Sequence, residues 1–193
     1  MSSEREADQV LVERVQRGDR KAFDLLVLKY QHKVANLISR YIRDQAEVLD
    51  VTQEAFIKAY RASPYFRGDS AFYTWLYRVA INTAKNHLAA ASRRPPQDDI
   101  EAETAEQMDM GTRLKEQDTP EELAMQDQVA ATIKSALEGL PDDLRTAITL
   151  REFEGLSYEE IAEAMECPIG TVRSRIFRAR EAIDKKLKPL LGA

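Results

Sequence analysis

Apolar residues recur along this chain at the spacing of helices, and no segment shows the sustained alternation of strands. Between about residues 20 and 41 the large apolar side chains stand three or four positions apart, which places them on one helix face. The same spacing predicts three further N-terminal helices, at about residues 9–16, 45–62 and 70–91. Pro95 and Pro96 then end the pattern. The N-terminal part is therefore predicted to be a bundle of four helices.

The C-terminal part contains the pattern of a helix-turn-helix, after two helices predicted at about residues 122–139 and 142–154. Ser157 and Glu160 form an S-x-x-E capping box, which predicts a short helix starting at Tyr158. The segment Glu166-Cys167-Pro168 interrupts this helix, and proline suits the first turn of the next one. Two helices joined by so tight a turn are typical of DNA-binding domains.

The second helix of this motif carries four arginines away from its apolar face, namely Arg173, Arg175, Arg178 and Arg180. A recognition helix lies in the major groove, where arginine can donate two hydrogen bonds to guanine. The remaining arginines would pair with phosphates and hold the register. The alternative is an ordinary solvated helix face, but the cap, the turn proline and the clustered arginines coincide.

Charge is distributed unevenly along the 193 residues. The net charge of −5 combines +5 over residues 1–95, −8 over residues 96–126 and −2 over residues 127–193. The acidic middle lacks regular apolar spacing, which predicts a flexible linker. Because apolar residues make up 44% of the chain, packed cores can form on both sides of it. We predict an all-α protein of two small helical domains joined by this linker.

The fourth N-terminal helix is unusually aromatic. Phe72, Leu76, Val79 and Thr83 fall on one face, which we assign to the core. We expect a roughly opposite, exposed face formed by Trp75, Arg78, Asn82 and Lys85. A ring among cations suits single-stranded DNA, where bases stack on rings and phosphates pair with cations. The alternative is that Trp75 belongs to the core.

The third helix shows a different pattern. Its core stripe is predicted to contain Val48, Leu49, Ala55, Phe56, Ala59 and Tyr60. Asp50, Gln53, Glu54 and Ile57 lie off that stripe. An exposed isoleucine ringed by polar and acidic groups suits an interface with a basic protein partner.

Several classes of protein fit the chain poorly. One cysteine, Cys167, cannot form an internal disulfide, no apolar run reaches the roughly 20 residues of a membrane span, and the N-terminus is polar. We therefore expect a cytoplasmic protein. No nucleophile with its partners and no carboxylate cluster for a metal is apparent, and His32 and His87 stand far apart. We expect no enzymatic activity, metal or cofactor.

Three segments together resemble the extracytoplasmic-function (ECF) sigma factors, in particular the sigma-E/AlgU type of Gram-negative bacteria. They are DVTQEAFIKAY at residues 50–60, FRGDSAFYTWLYR at residues 66–78, and LSYEEIA with PIGTVRSRIFRAR at residues 156–162 and 168–180. The resemblance implies a sigma-2 domain at residues 1–95, the acidic linker at 96–124 and a sigma-4 domain at 125–193.

The resemblance also implies roles for these segments. The clamp helices of core RNA polymerase would bind Asp50, Gln53, Glu54, Ile57 and Lys58. The −10 element, melted and held as a single strand, would contact Phe66, Arg67, Asp69, Ser70, Tyr73, Trp75, Arg78, Asn82 and Lys85. The −35 duplex would contact Thr171, Arg173, Ser174, Arg175, Phe177 and Arg178, within a helix-turn-helix at residues 158–177. The polymerase flap and a membrane-anchored anti-sigma factor would be further partners, and the regulated genes would answer envelope stress.

Two other functions are compatible with parts of this pattern. A stand-alone helix-turn-helix regulator would bind operator DNA without polymerase, but it would need no aromatic surface for single strands. A recombinase with a DNA-binding tail would need a catalytic constellation, which the sequence does not offer.

Overall fold

A computed structural model describes residues 2–92 and 120–191, and every described element is helical. The N-terminal domain contains α1 (Ser2–Gln16), α2 (Arg20–Ile38), α3 (Gln45–Ala62), one 3₁₀ turn (Ser63–Tyr65) and α4 (Phe72–Ala91). The C-terminal domain contains α5 (Pro120–Glu138), α6 (Asp142–Glu152), α7 (Tyr158–Ala164) and α8 (Ile169–Leu191). The all-helical prediction is confirmed for these residues. Most of the predicted linker, residues 96–124, lies outside them.

Local signals explain most helix boundaries. Asp19 and Asp44 each accept hydrogen bonds from backbone amides in the first turn of α2 and α3. Gly18 has a φ of +94°, a conformation that glycine adopts without strain, and so allows the tight turn between α1 and α2. The start of α4 is different, since its N-cap residue is Ala71 and no side chain caps it. Neither Asp69 nor Ser70, the two polar residues that precede Ala71, caps this helix.

The two domains share one continuous apolar core. In the N-terminal domain α4 packs against both α2 and α3, and in the C-terminal domain α8 packs against α5, α6 and α7. Helix α4 also packs against α7, which brings the two domains into direct contact. Buried side chains from both domains therefore form a single cluster. Because of this contact, α4 is buried on more of its circumference than a helix at the edge of a bundle.

Candidate nucleic-acid interface

The loop before α4 is held in place by α1. The side-chain amide of Gln16 donates hydrogen bonds to the backbone oxygens of Ser63 (3.0 Å) and Phe66 (2.8 Å). Gly68 has a φ of +77° and lets the chain turn back towards α4. These contacts position Phe66 and Arg67 beside the first turn of α4. The role of Gln16 was missed from the sequence, because the contact spans about 50 positions.

Trp75 is a core residue, and its expected place on an exposed face is wrong. It is only 8% exposed, and its ring centroid lies 5.1 Å from that of Phe66 and 5.7 Å from that of Phe72. The three rings form an aromatic cluster under the loop. The exposed helix face that we predicted for Trp75 is not formed at this position, because the loop before α4 covers that side of the helix.

One edge of Trp75 nevertheless faces a cleft of about 330 Å³. The residues of the N-terminal domain that line the cleft are Tyr65, Phe66, Arg67, Asp69, Ser70, Trp75 and Arg78. Two guanidinium groups and several rings therefore surround this space, together with the carboxylate of Asp69. Glu163 of α7 contributes to the wall from the other domain.

Tyr65 lies at this cleft and was not predicted from the sequence. Its side chain is 84% exposed, the highest value among the large apolar and aromatic side chains that the structure describes. A ring with so little packing is free to stack on a ligand.

The remaining residues of the predicted −10 surface lie on α4 outside the cleft, Tyr73 in its first turn and Asn82 and Lys85 further along. Tyr73 is half-buried, whereas Asn82 and Lys85 are exposed. Each of them contacts a carboxylate of the C-terminal domain. The hydroxyl of Tyr73 donates to Glu160, the amide of Asn82 donates to Glu166 at 3.0 Å, and the ammonium of Lys85 lies 3.3 Å from Asp143.

The carboxylate of Glu160 has two tasks. It completes the capping box with the backbone of Ser157, as predicted, and it also accepts hydrogen bonds from Tyr73 and Arg5. Burial alone would raise its pKa, but the hydrogen bonds from Tyr73 and Ser157 and the charge of Arg5 hold the pKa of Glu160 below its ordinary value. The group is therefore ionised, and the same carboxylate that caps α7 also contacts the N-terminal domain.

The helix-turn-helix has the predicted boundaries, with α7 beginning at Tyr158 and α8 at Ile169. Glu166 occupies the turn with a φ of +50°, unusual for a residue with a side chain. At the start of α8 the exposed side chains are Arg173, Ser174, Phe177 and Arg178, and Thr171 is half-buried beside them. Phe177 is 69% exposed, which leaves its ring open to a partner.

Arg175 differs from its neighbours. Its guanidinium lies 2.6 Å from the carboxylate of Asp143 and donates to the sulfur of Cys167 at 3.3 Å. Arg180 likewise forms an ion pair of 2.6 Å with Glu152. In this arrangement Arg175 holds α6 against α8, and its side chain is only 21% exposed. Its expected contact with the −35 duplex stays a prediction.

The outer face of α3 forms a second candidate interface. Asp50, Gln53, Glu54 and Ile57 are exposed as predicted, and the side chain of Lys58 lies 2.7 Å from that of Glu54. Leu49 is 53% exposed and Tyr60 is 37% exposed, so their assignment to the core stripe is wrong. Val51, buried at 1%, takes a core position instead.

Leu49 and Ile57 border an apolar groove of about 480 Å³ between α2 and α3. Its other walls include Val27, His32, Ala35 and Phe56. A groove lined by apolar side chains and by the amides of Gln31 and Gln53 is suited to a helix with apolar residues along one face.

Among the residues that the structure describes, no helix is both long and apolar enough to span a bilayer. In the same parts of the chain, no three His, Cys, Asp or Glu side chains converge as metal ligands would.

Comparison with known proteins assigns the family. The family models described as Sigma-70 region 2 and Sigma-70, region 4 match residues 26–94 and 130–183. The RNA polymerase sigma-H factor of Pseudomonas aeruginosa is 66% identical over 186 residues, covering 96% of both chains. The ECF RNA polymerase sigma-E factor of Escherichia coli (strain K12) is 63% identical over 189 residues, covering 98% of both chains. The chain therefore belongs to the sigma-70 family, and within it to the ECF sigma factors.

A solved structure shows the same fold at lower identity. The sigma factor RpoE of Bartonella quintana, in complex with the anti-sigma factor NepR, matches with a TM-score of 0.63 and 23% identity. The match covers 87% of this chain and 98% of that one. The arrangement of helices is thus shared with a sigma factor of quite different sequence.

Proposed function

We propose that this sigma factor binds core RNA polymerase through α3, opens and holds the −10 element at the cleft beside Trp75, and reads the −35 element through α8. The observation that carries the proposal is that one chain has two different candidate DNA-binding surfaces, one suited to single strands and one suited to duplex DNA. The cleft combines rings and cations, as single strands require. The start of α8 presents Arg173 and Arg178 on an exposed face after a tight turn, as duplex reading requires.

This pairing favours a sigma factor over a stand-alone operator binder. An operator binder gains nothing from an aromatic cleft, because paired bases are not free to stack on side chains. In this proposal residues 1–95 form the polymerase and −10 domain, residues 125–193 form the −35 domain, and residues 96–124 connect them. The polymerase supplies all the chemistry.

The direct test is transcription in vitro. Core polymerase is mixed with a library of genomic fragments, with and without this protein, and the transcript start points are sequenced. We expect a small set of starts that depend on the protein and share two elements. Tight binding of promoter duplex by the protein alone, with no change in the transcripts, would support the operator binder instead.

Arg173→Ala should relax the −35 specificity. An arginine that bonds a base edge contributes about 1–3 kcal/mol of discrimination, so the variant should tolerate substitutions at one or two positions of the element. Affinities are measured for holoenzyme on promoters substituted one base at a time. Arg180→Ala is the control, because that side chain pairs with Glu152. Equal weakening on every promoter would mean that Arg173 contacts only phosphate.

Ile57→Ala should weaken binding to core polymerase and leave the domain folded. Ile57 is 51% exposed at the rim of the apolar groove, so its loss removes an anchor for the clamp helices without opening a cavity. We expect a cost of about 1–2 kcal/mol, the range of a moderate hot spot. Affinity for core enzyme is measured by fluorescence competition. Val10→Ala, a comparable truncation at a site 57% exposed on α1, should have no effect. If both variants bind core polymerase with equal affinity, the groove is not part of the polymerase interface.

The C-terminal domain offers a candidate contact for the polymerase flap. A groove of about 380 Å³ between α5, α6 and α8 is lined by the apolar side chains of Ile133, Leu137, Ile148, Phe153 and Ile183, and also by Glu152, Arg180 and Asp184. Phe153 is 50% exposed there. We place the flap in this groove, since its apolar lining is suited to a helix tip.

Membership of the family also supports proposals for the regulation, location and biological role of this chain. The solved relative from Bartonella quintana is bound to an anti-sigma factor. For this chain we propose a membrane-anchored anti-sigma factor, a cytoplasmic location and target genes that answer envelope stress. Reconstitution with the cytosolic part of the cognate anti-sigma factor should abolish transcription from the starts found above.

A further inference from the structure

Helix α1 is fixed firmly against the rest of the N-terminal domain. Val12 and Val15 are buried in the shared core. Asp8, only 2% exposed, accepts hydrogen bonds from the hydroxyl of Tyr30 and from the ammonium of Lys29, the latter at 2.6 Å. A carboxylate so deeply buried would be costly without these partners. The position of α1 relative to α2 is therefore well defined.

Gln16, the last residue of α1, reaches the loop of residues 63–71. Its side-chain amide has two hydrogens, and both are used, on the backbone oxygens of Ser63 at 3.0 Å and Phe66 at 2.8 Å. Within the described residues, these are the hydrogen bonds that tie the loop to a helix other than its two neighbours, α3 and α4. The side chain of Gln16 is itself exposed. It therefore holds the loop by hydrogen bonds and fills no core cavity.

Phe66, which Gln16 bonds through its backbone oxygen, stands between two residues of the cleft. Its ring centroid lies 5.1 Å from that of Trp75, and its neighbours Tyr65 and Arg67 both line the cleft. Because one hydrogen bond fixes the peptide oxygen of Phe66, a rotation of this peptide would move the ring and the cation on either side of it. The shape of the cleft thus depends on a side chain that does not line it.

We propose that Gln16 is a positioning residue for strand opening, which holds residues 63–71 in the shape that receives the melted strand. This inference rests on the proposed position of the −10 surface. Gln16 touches no DNA in this proposal and acts only through the loop. A loop already in its binding shape loses less conformational entropy when the strand arrives, so more of the interaction is left to offset melting. The closed complex does not use the cleft and gains nothing from the same hydrogen bonds.

Two substitutions remove the hydrogen bonds at this exposed position. Gln16→Met is similar in length and flexibility but has no donor, and Gln16→Glu keeps the shape of the amide although its carboxylate cannot donate. Gln45→Met, at the exposed first residue of α3, makes the first of these changes away from the loop and is the control. All variants are made in the full-length chain, and far-UV circular dichroism checks their folding.

The position of the loop can be measured without DNA, because Trp75 is the single tryptophan of the chain. The loop covers its ring, which is only 8% exposed, so acrylamide should quench its fluorescence poorly in the wild-type protein. We expect both Gln16 variants to raise the quenching constant, since the loop is then held less well. Gln45→Met should leave the quenching constant unchanged.

Promoter opening is measured with holoenzyme by the permanganate reactivity of the −10 thymines, and the closed complex is measured by gel retardation. Two hydrogen bonds together favour the held loop by roughly tenfold, so both Gln16 variants should lower the opening equilibrium by about twofold to tenfold. The closed complex should form with wild-type affinity. If Gln16 served only the general stability of the fold, opening would be unchanged at temperatures well below unfolding.

The outcomes distinguish this inference from the proposed function. Unchanged quenching in both Gln16 variants would overturn the inference, whatever the cleft does. Raised quenching with normal opening would overturn it as well, and Tyr65→Ala/Arg78→Ala, tested alongside, then shows whether the cleft itself stands. If that double variant cannot open the promoter, the cleft holds the strand without positioning by Gln16. If it opens the promoter normally, the proposed −10 surface is wrong too. Equal loss of the closed and open complexes would assign Gln16 to promoter binding in general and overturn the inference.

Discussion

Tyr65→Ala/Arg78→Ala should leave the closed promoter complex nearly intact and strongly reduce the open complex. Melting costs stacking and pairing energy, which the protein recovers only by binding the exposed strand better than the duplex. Tyr65 is exposed and Arg78 half-buried at the same cleft, so one base can stack on the ring while the guanidinium meets its phosphate. Each contact is worth roughly 1–3 kcal/mol, and losing both should lower the opening equilibrium by about 30-fold or more.

Permanganate footprinting of promoter thymines measures this effect, with gel retardation of holoenzyme as the measure of the closed complex. Arg61→Ala is the control, an exposed arginine at the end of α3 outside the cleft. Normal melting by the double variant would remove the cleft from the proposed mechanism. If the closed complex is lost as well, these side chains contribute to promoter binding in general and not specifically to strand opening.

Trp75 requires a different substitution, because it supports the cleft from beneath. Truncation of so deeply packed a ring to alanine typically costs about 3–5 kcal/mol of stability, and the variant would lose DNA binding by unfolding. Trp75→Phe keeps a ring against Phe66 and Phe72. Any effect of Trp75→Phe on promoter melting therefore reflects the part of the ring that lies at the cleft, and not unfolding of the domain.

Much of the fold could be predicted because its signals are local. The bounds of α3 and the starts of α7 and α8 agree with the expected positions, since capping residues and a turn proline lie within a few residues of each boundary. The start of α1 at Ser2, against an expected start near residue 9, had no comparable signal. Spacing along the chain therefore reveals only interactions between residues that are close in sequence.

The errors at the site have a shared cause in contacts between distant segments. Helical periodicity assigns one buried face to each helix, as if the helix packed on one side only. Helix α4 is instead covered by the loop before it, by α2 and α3, and by α7. The burial of Trp75 and the engagement of Asn82 and Lys85 by acidic residues follow from that. Leu49 shows the opposite error, since an apolar residue next to the core stripe turned out to border an open groove.

Ile161→Ala should produce the largest loss of stability among single substitutions in the helix-turn-helix. Ile161 of α7 is fully buried and belongs to the same apolar cluster as Val172 and Ile176 of α8. Truncating such a side chain removes its transfer free energy and leaves a cavity, at a cost of about 2–5 kcal/mol. A domain of this size has little more stability than that, so the angle between α7 and α8 would be lost.

Urea unfolding followed by circular dichroism measures the cost, and Ile57→Ala is the matched control. The same atoms are removed in the control, but from a side chain 51% exposed on α3, so its free energy of unfolding should change by less than about 1 kcal/mol. The two variants should therefore fail for different reasons. Ile161→Ala should lose −35 recognition because its free energy of unfolding falls, while Ile57→Ala should stay folded and lose affinity for core polymerase. Equal stability of the two variants would mean that the packing of α7 on α8 contributes little to holding the recognition helix in place.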